Sequence, residues 1–311
     1  MTARFVAWGF AAAAVAAGAA FGAQASGGDA GAWLGLGGGA RAAALANTYV
    51  AVADEPSAAF FNAAGLQQLT GGRAEFTYHY PYADVKDIAY ANAAAAYNLA
   101  GRGYELGTVA LGAQYFRAWG IPEAGDLGLT GRTFSDYELN LVVAWGKGLG
   151  ADVAAGEGPR YNLGLAMKMV SSKIYEYQDS GFGLDVGFLL RPLPAVRVGL
   201  ALANVIAPHI ELVATRDVYP ATATVGAAYD LFPGGVATAE GRFRKDGDAA
   251  FGVGAEATIA RVFAVRGGYE YPDNQPAAGV GLRMSKYGAD FTWRPNGDLG
   301  DSYIATVTVS F

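Results

Sequence analysis

From residue 72 to the last residue, segment after segment alternates apolar with polar or very small side chains. This period of two is the strongest constraint on what the chain can fold into. In "YELNLVVAW", Tyr137, Leu139, Leu141, Val143 and Trp145 share one face, while Glu138 and Asn140, with Asp136 just before them, share the other. "YNLGLAMKM" sets Tyr161, Leu163, Leu165, Met167 and Met169 against Asn162, Gly164 and Lys168. The final "SYIATVTVSF" sets Tyr303, Ala305, Val307, Val309 and Phe311 against Ser302, Thr306, Thr308 and Ser310. Successive side chains of a strand point to opposite faces, so each segment reads as a strand with one apolar side. Beyond the first residues, no run of eighteen strongly apolar residues offers a membrane-spanning helix. Yet 52% of the residues are hydrophobic and only 16% charged, against about 25% charged in an ordinary soluble domain.

A soluble sandwich alternates in the same way, but two details favour a transmembrane barrel. The apolar faces end in aromatics, as in Tyr137 with Trp145 and Tyr287 with Trp293, which matches girdles at the two membrane interfaces. The opposite faces mix charges with Gly and Ala, as a closed lumen requires. The expected fold class is therefore all-β, a transmembrane antiparallel β-barrel. Strands are expected near 72–82, 86–99, 105–117, 133–146, 160–175, 181–191 and 195–205. The second half adds 219–230, 235–244, 248–259, 262–271, 275–284, 286–294 and 301–311. The total of about fourteen is even, as in bacterial outer-membrane barrels. If the first strand rises from the periplasm, the longer connections 118–132 and 206–218 fall outside and "RPLPA" and "LFPGG" form periplasmic turns. The Gly- and Ala-rich link 147–158 is a long periplasmic exception without a physical account.

Residues 1–25 are expected to be a cleaved signal peptide, with Arg4 as its positive start, an apolar stretch from Phe5 to Phe21, and Ala23-Gln24-Ala25 as the cleavage site. Residues 26–70 form a different block, and residues 71–311 the barrel. The block contains a glycine cluster, an Ala-rich stretch, and a helix start at Asp54-Glu55-Pro56-Ser57, with Asn62 placed to close that turn or cap the next. "GLGGGA", Gly35 to Ala40, lacks the strand and helix of a dinucleotide-binding loop and reads as linker and plug backbone. Helical pieces this short need a surface to pack on. The nearest one is a lumen lined by Gly and Ala, so the block is expected to plug the barrel.

"GARAAALANTYVAVADEPSAAFFNAAGL", Gly39 to Leu66, resembles the amino-terminal signature of FadL-type outer-membrane channels, and most closely their short PorV/PorQ branch. "LDVGFLLRP", "LANVIAPHI" and "AVRGGYEY" resemble barrel segments of that branch, so the likeness spans nearly the whole chain after the leader. The terminal Phe311 also resembles the assembly signal of outer-membrane barrels. The resemblance implies a fourteen-stranded barrel occluded by an amino-terminal hatch, with signature positions Arg41, Asp54, Glu55, Asn62, Ala63, Ala64 and Gly65. One departure stands out: the family's Asn-Pro-Ala-Gly reads Asn62-Ala63-Ala64-Gly65 here, which frees the backbone at Ala63.

Catalysis is not expected. There is no Cys, His79 and His209 are the only histidines, and no metal-binding or nucleophilic pattern connects them. No cofactor is expected. A net charge of −6 without a basic run excludes nucleic acid as a partner. Candidate lumen charges on the polar strand faces are Arg73, Glu75, Glu138, Lys168, Asp185, Glu240, Arg242, Arg266, Arg283 and Asp290. Asp136, Arg197, Glu256 and Arg294 share those faces. They either line a selective path and hold the hatch or pair with one another to fill the lumen. Asp54 and Glu55 either favour a helix start or latch onto lumenal arginines.

Two functions follow from the resemblance. The first is a passive outer-membrane channel for small hydrophobic solutes of the fatty-acid or aromatic class, with lipid, lipopolysaccharide and the solute as partners. The second is a non-conducting PorV-like adaptor that binds secretion-system proteins. The discriminating feature is an apolar pocket beneath the hatch, which a channel needs and an adaptor does not. A water-filled porin is disfavoured, because porins use about sixteen to eighteen strands.

Overall fold

The computed structural model describes residues 30–99, 106–126, 128–149, 160–214, 216–297 and 299–311. The expected leader and residues 150–158 of the 147–158 link lie outside the described residues. Among the described residues no helix is long and apolar enough to cross a membrane.

The chain opens with a 3-10 turn, Ala32–Leu36, followed by helical turns Ala40–Ala44 and Ala58–Phe61 and a second 3-10 segment, Ala63–Gln68. Strands then follow to the end: β1 Gly72–Tyr80, β2 Ile88–Asn98, β3 Thr108–Gly125, β4 Gly128–Leu149, β5 Tyr161–Ile174, β6 Tyr177–Leu193 and β7 Val196–Ile206. A short pair comes next, β8 His209–Glu211 and β9 Arg216–Val218. The last seven are β10 Thr222–Phe232, β11 Gly235–Arg244, β12 Ala249–Ile259, β13 Phe263–Tyr271, β14 Gln275–Met284, β15 Tyr287–Arg294 and β16 Ser302–Ser310. Fourteen of these strands close into one barrel, with β8 and β9 forming a separate two-stranded sheet. Every neighbouring pair in the barrel is antiparallel. The seam joins β1 to β16, with Thr77 opposite Thr306. Closure leaves no unpaired sheet edge, a condition for strands in hydrocarbon.

The alternation read from the sequence sorts the side chains as expected. On β5 exposed Leu163, Leu165 and Met167 alternate with buried Asn162, Gly164 and Lys168. Leu111, Val143, Met167, Phe182 and Val307 are all more than half exposed on the outer wall. An apolar exterior of this extent around a polar interior is the inverse of a soluble protein and suits a lipid surroundings. The end of the barrel where β1 begins and β16 finishes is its base, and the opposite end its top.

Two expected loops proved to be structured. The stretch 118–132 is not a plain connection, because β3 and β4 continue as a paired hairpin with register shifts near Ala118–Ile121 and Pro122–Ala124. Residues 128–133 are exposed one after another, so both faces of the hairpin meet water and no alternation marks it. The stretch 206–218 carries β8 and β9, which pack on the top of the lumen through Ile210, buried with Val170 and Tyr219.

Candidate functional site

Residues 30–69 occupy the lumen. Leu45, Tyr49, Val52 and Leu66 are fully buried and form one cluster with inward Ala110, Val142, Ala144, Ala166, Ala201 and Ala228 of the wall. Burying a side chain of this size from water stabilises by about 1.5–3 kcal/mol. The apolar core therefore lies between hatch and wall.

The hatch backbone approaches the wall closely because inward positions on successive strands are glycine. A Cβ at Gly112 would meet the Phe60 ring at 2.6 Å, one at Gly254 the Leu45 carbonyl at 2.8 Å, and one at Gly268 the Ala46 amide at 2.6 Å. Gly146, Gly164 and Gly199 similarly face the main chain of Ala63, Ala64 and Val50. Sequence reasoning read these glycines only as generic small lining. Their recurrence at inward positions of neighbouring strands was the available signal for a docked backbone.

Among the hatch signature residues, Arg41, Asp54 and Glu55 meet the wall charges in a closed ring. Arg41 Nε and Nη2 hold both oxygens of Glu256 at 2.8 and 3.0 Å. Glu256 also pairs with Arg266, and Arg266 Nη1 reaches Asp290 Oδ1 at 2.7 Å. Arg283 bridges Asp290 at 2.8 Å and Glu55 at 3.2 Å, and Glu55 returns to Arg41 at 3.5 Å. Asp54 adds a 2.5 Å contact to Arg41. Burial alone would lower the Arg41 pKa, but Asp54 and Glu256 raise it well above the ordinary guanidinium value. Of the two acids, Glu55 reaches a lumenal arginine, Arg283, whereas the Asp54 carboxylate stays on Arg41 within the hatch, and the following helix is a single turn without a side-chain cap from Ser57.

Asn62 caps the second 3-10 segment through Ala64 N, and its Nδ2 donates to Val50 O at 2.8 Å and to Phe188 O at 3.2 Å. Ala63 and Ala64 are buried against the wall. Gly65 is tight against the Ala53 main chain, where no Cβ fits. Within the glycine cluster Gly38 is packed hatch backbone, where a Cβ would lie 2.9 Å from both Phe60 and Phe61, while Gly35 has open space around it.

The remaining candidate charges divide by height. Glu240 Oε2 accepts from Tyr49 N and Val50 N, each at 2.9 Å, and Glu240 continues to Arg242, Glu270 and Arg294. Lys168 pairs with Asp185 at 2.7 Å, and Arg197 with Asp230 at 2.6 Å. Arg73 Nη1 contacts Asp54 O at 3.4 Å, Ser172 donates to Glu138 at 2.7 Å, and Glu75 is buried on β1. Asp136 sits half-buried above Glu138 on the same face of β4. His79 faces the lumen beside Tyr90, and His209 is exposed on β8. Among the described residues no cluster suited to a metal ion exists.

A cavity of about 300 Å³ lies between the hatch and the wall, with Gly31, Leu34 and Gly37 of the first hatch turn on one side of it and Tyr219 and Pro220 among its wall residues. Leu34, Val50, Phe60 and Phe61 of the hatch line it with Lys168, Asp185, Glu240 and Arg242 of the wall. A recess at the base, beneath the hatch, mixes the charges Arg41, Asp54, Arg197, Asp230 and Glu256 with Pro194, Phe232 and Val236, because the ion pairs that hold the hatch converge on that side.

A closed barrel, an internal hatch and a lumenal cavity together define a class, the hatch-bearing transmembrane barrels. Solved structures share this fold. The toluene transporter TbuX of Ralstonia pickettii aligns at a TM-score of 0.62 and 15% identity, covering 88% of this chain and 98% of its own. A FadL homologue of Pseudomonas aeruginosa aligns at 0.61 and 12% identity, covering 88% and 98%. The P. putida toluene transporter TodX aligns at 0.62 and 10%, covering 88% and 99%. At these identities the likeness is one of fold. No family model and no curated protein sequence matches the chain.

Proposed function

We propose that the protein is a FadL-type outer-membrane channel through which small hydrophobic solutes pass without energy input. The observation that carries this reading is the cavity between hatch and wall, where Leu34, Val50, Phe60 and Phe61 supply an apolar side opposite Lys168, Asp185, Glu240 and Arg242. Its placement in a fold shared with two toluene transporters supports the reading. An apolar solute crosses a polar lipopolysaccharide layer poorly, and an apolar cavity lowers that barrier by about 25 cal/mol for each Å² of solute removed from water. The hatch is the moving part, held by the Arg41 ring at the base. The lumenal charges serve as its contacts, with no continuous open bore between them. The fold shared with toluene transporters is what favours the channel over a PorV-like adaptor.

The test is uptake of a panel of monoaromatic and short-chain compounds into proteoliposomes. The expected result is saturable, ion-independent uptake by the intact protein. Uptake no faster than in empty liposomes for every compound would exclude the channel.

A further inference from the structure

We propose that the outer wall carries a binding site for a phosphorylated, multiply acylated lipid of the outer leaflet, with phosphate on Arg117 and Lys173 and an acyl chain in the groove below them. The register of the wall brings the two cations together. Arg117 stands opposite Tyr137 on the next strand, and Tyr137 stands opposite Lys173 on the one after. Ala89 and Gln178 close the row on either side. Arg117, Tyr137 and Lys173 lie an even number of residues from exposed Leu111, Leu141 and Met167 of the same strands, so the row faces lipid and not the lumen. Strands lie about 4.8 Å apart, which sets the two cations about 10 Å apart at the backbone. Their long side chains cover that span from either side to meet one phosphate.

Tyr137 and Trp145 end the apolar face of β4, and the row lies at the Tyr137 end, toward the β3–β4 hairpin at the top. With the base toward the periplasm, this is the headgroup level of the outer leaflet. Neither cation forms an ion pair among the described residues. The Arg117 guanidinium lies instead against two rings, 5.3 Å from the centroid of Trp119 and 4.9 Å from that of Tyr137. Stacking of this kind orients the group and leaves its in-plane terminal N–H donors for an acceptor. A cation at a lipid boundary is costly without a partner. Phosphate is the acid that a lipid surface supplies at this height, held by Arg through charge-assisted bonds and by Lys as a point charge.

Below the row the wall is hollowed. Ala93 faces Ala113 across β2 and β3. These short side chains lie beside Leu141, Met167 and Phe182, whose bulk forms the far bank of an open groove of about 730 Å³. Ala113 is four residues below Arg117 on the same face of β3, about 13 Å along the strand. A lipid whose phosphate sits on the row therefore hangs its chains over the groove. A smooth wall takes acyl chains without preference, whereas a hollow beneath two cations that lack acids takes one kind of lipid. The site lies on the opposite side of the wall from the solute cavity and stands whether or not the lumen conducts.

The experiment titrates the full chain in detergent with a fluorescent diphosphoryl lipid A and, separately, with the same lipid stripped of its phosphates. Light scattering reports the oligomeric state, and heat-dependent gel mobility checks that each variant forms a barrel. The expected result is saturable binding of the phosphorylated lipid that Arg117→Gln with Lys173→Gln weakens about tenfold or more. Removal of the phosphates is expected to do the same. Ala113→Leu, which fills the groove from the lipid side, is expected to weaken binding severalfold. Lys286→Gln, at an exposed cation on the β14–β15 turn at the base, is expected to leave it unchanged. Equal affinity for the two lipids, or no loss in the double variant, overturns the site and reduces the groove to general lipid contact. Dimers that Ala113→Leu dissociates, with no preference for phosphate, give the groove to a second copy and overturn the site as well.

Discussion

Two arcs of the same wall hold the hatch by different physics. Along β3 to β10 inward small residues do most of the holding, with Ala110, Ala144, Gly164, Ala166, Gly199 and Ala228 packed on hatch backbone and methyl groups. Along β12 to β15 Gly254 and Gly268 make the same close approach, and the inward positions also bring Glu256, Arg266, Arg283 and Asp290, which join Arg41 and Glu55 in one ion network. Close packing tolerates no added volume but carries no charge penalty. A buried ion network adds little net stability while intact and becomes destabilising once one member is removed. The first arc is therefore sensitive to added atoms and the second to lost charges as well.

The largest effect is expected from breaking the charged arc. Arg266, 2% exposed at its side chain, separates Glu256 from Asp290. Arg266→Met is expected to cost up to about 3–5 kcal/mol, because Glu256 and Asp290 lose the cation between them and are left to Arg41 and Arg283 alone. Urea unfolding in micelles checks this, and adding Glu256→Gln with Asp290→Asn is expected to restore part of the loss. On the packed arc, Gly164→Val forces a side chain into the main chain of Ala63 and Ala64. Overpacking costs about 1–3 kcal/mol in ordinary cores. Cold-SDS gel mobility is expected to show fewer folded barrels, whereas Gly297→Val, with open space around it, leaves the folded fraction unchanged.

Smaller changes sharpen the contrast. Asn62→Ala removes a cap and two bonds to backbone carbonyls and is expected to cost about 1–2 kcal/mol in the same urea assay. The smallest effect is expected at Ala63, the first residue of its 3-10 segment, preceded by Asn62 at φ −152° and ψ 97°. That backbone suits a following proline, so Ala63→Pro is expected to be neutral or to stabilise by about 0.4–1 kcal/mol. A clear loss of stability would mean that the packed arc leaves no room for the ring.

The strands were legible because a membrane makes the two faces of each one different. Where that asymmetry ends, as in the β3–β4 hairpin beyond Arg117, water lies on both sides and the pattern disappears although the pairing continues. Register placed Glu256, Arg266, Arg283 and Asp290 on inward faces, yet it does not give relative height on neighbouring strands. Their union with Arg41 and Glu55 was therefore hidden.

The seam between β1 and β16 sets an order of assembly. Residues 72–80 pair with residues 303–310, while the segment immediately before β1 already fills the centre. A finished cylinder offers no way to thread that segment in past its close contacts. The wall must therefore curl around the amino-terminal piece as around a mandrel, and the joining of first strand to last is the step that traps it.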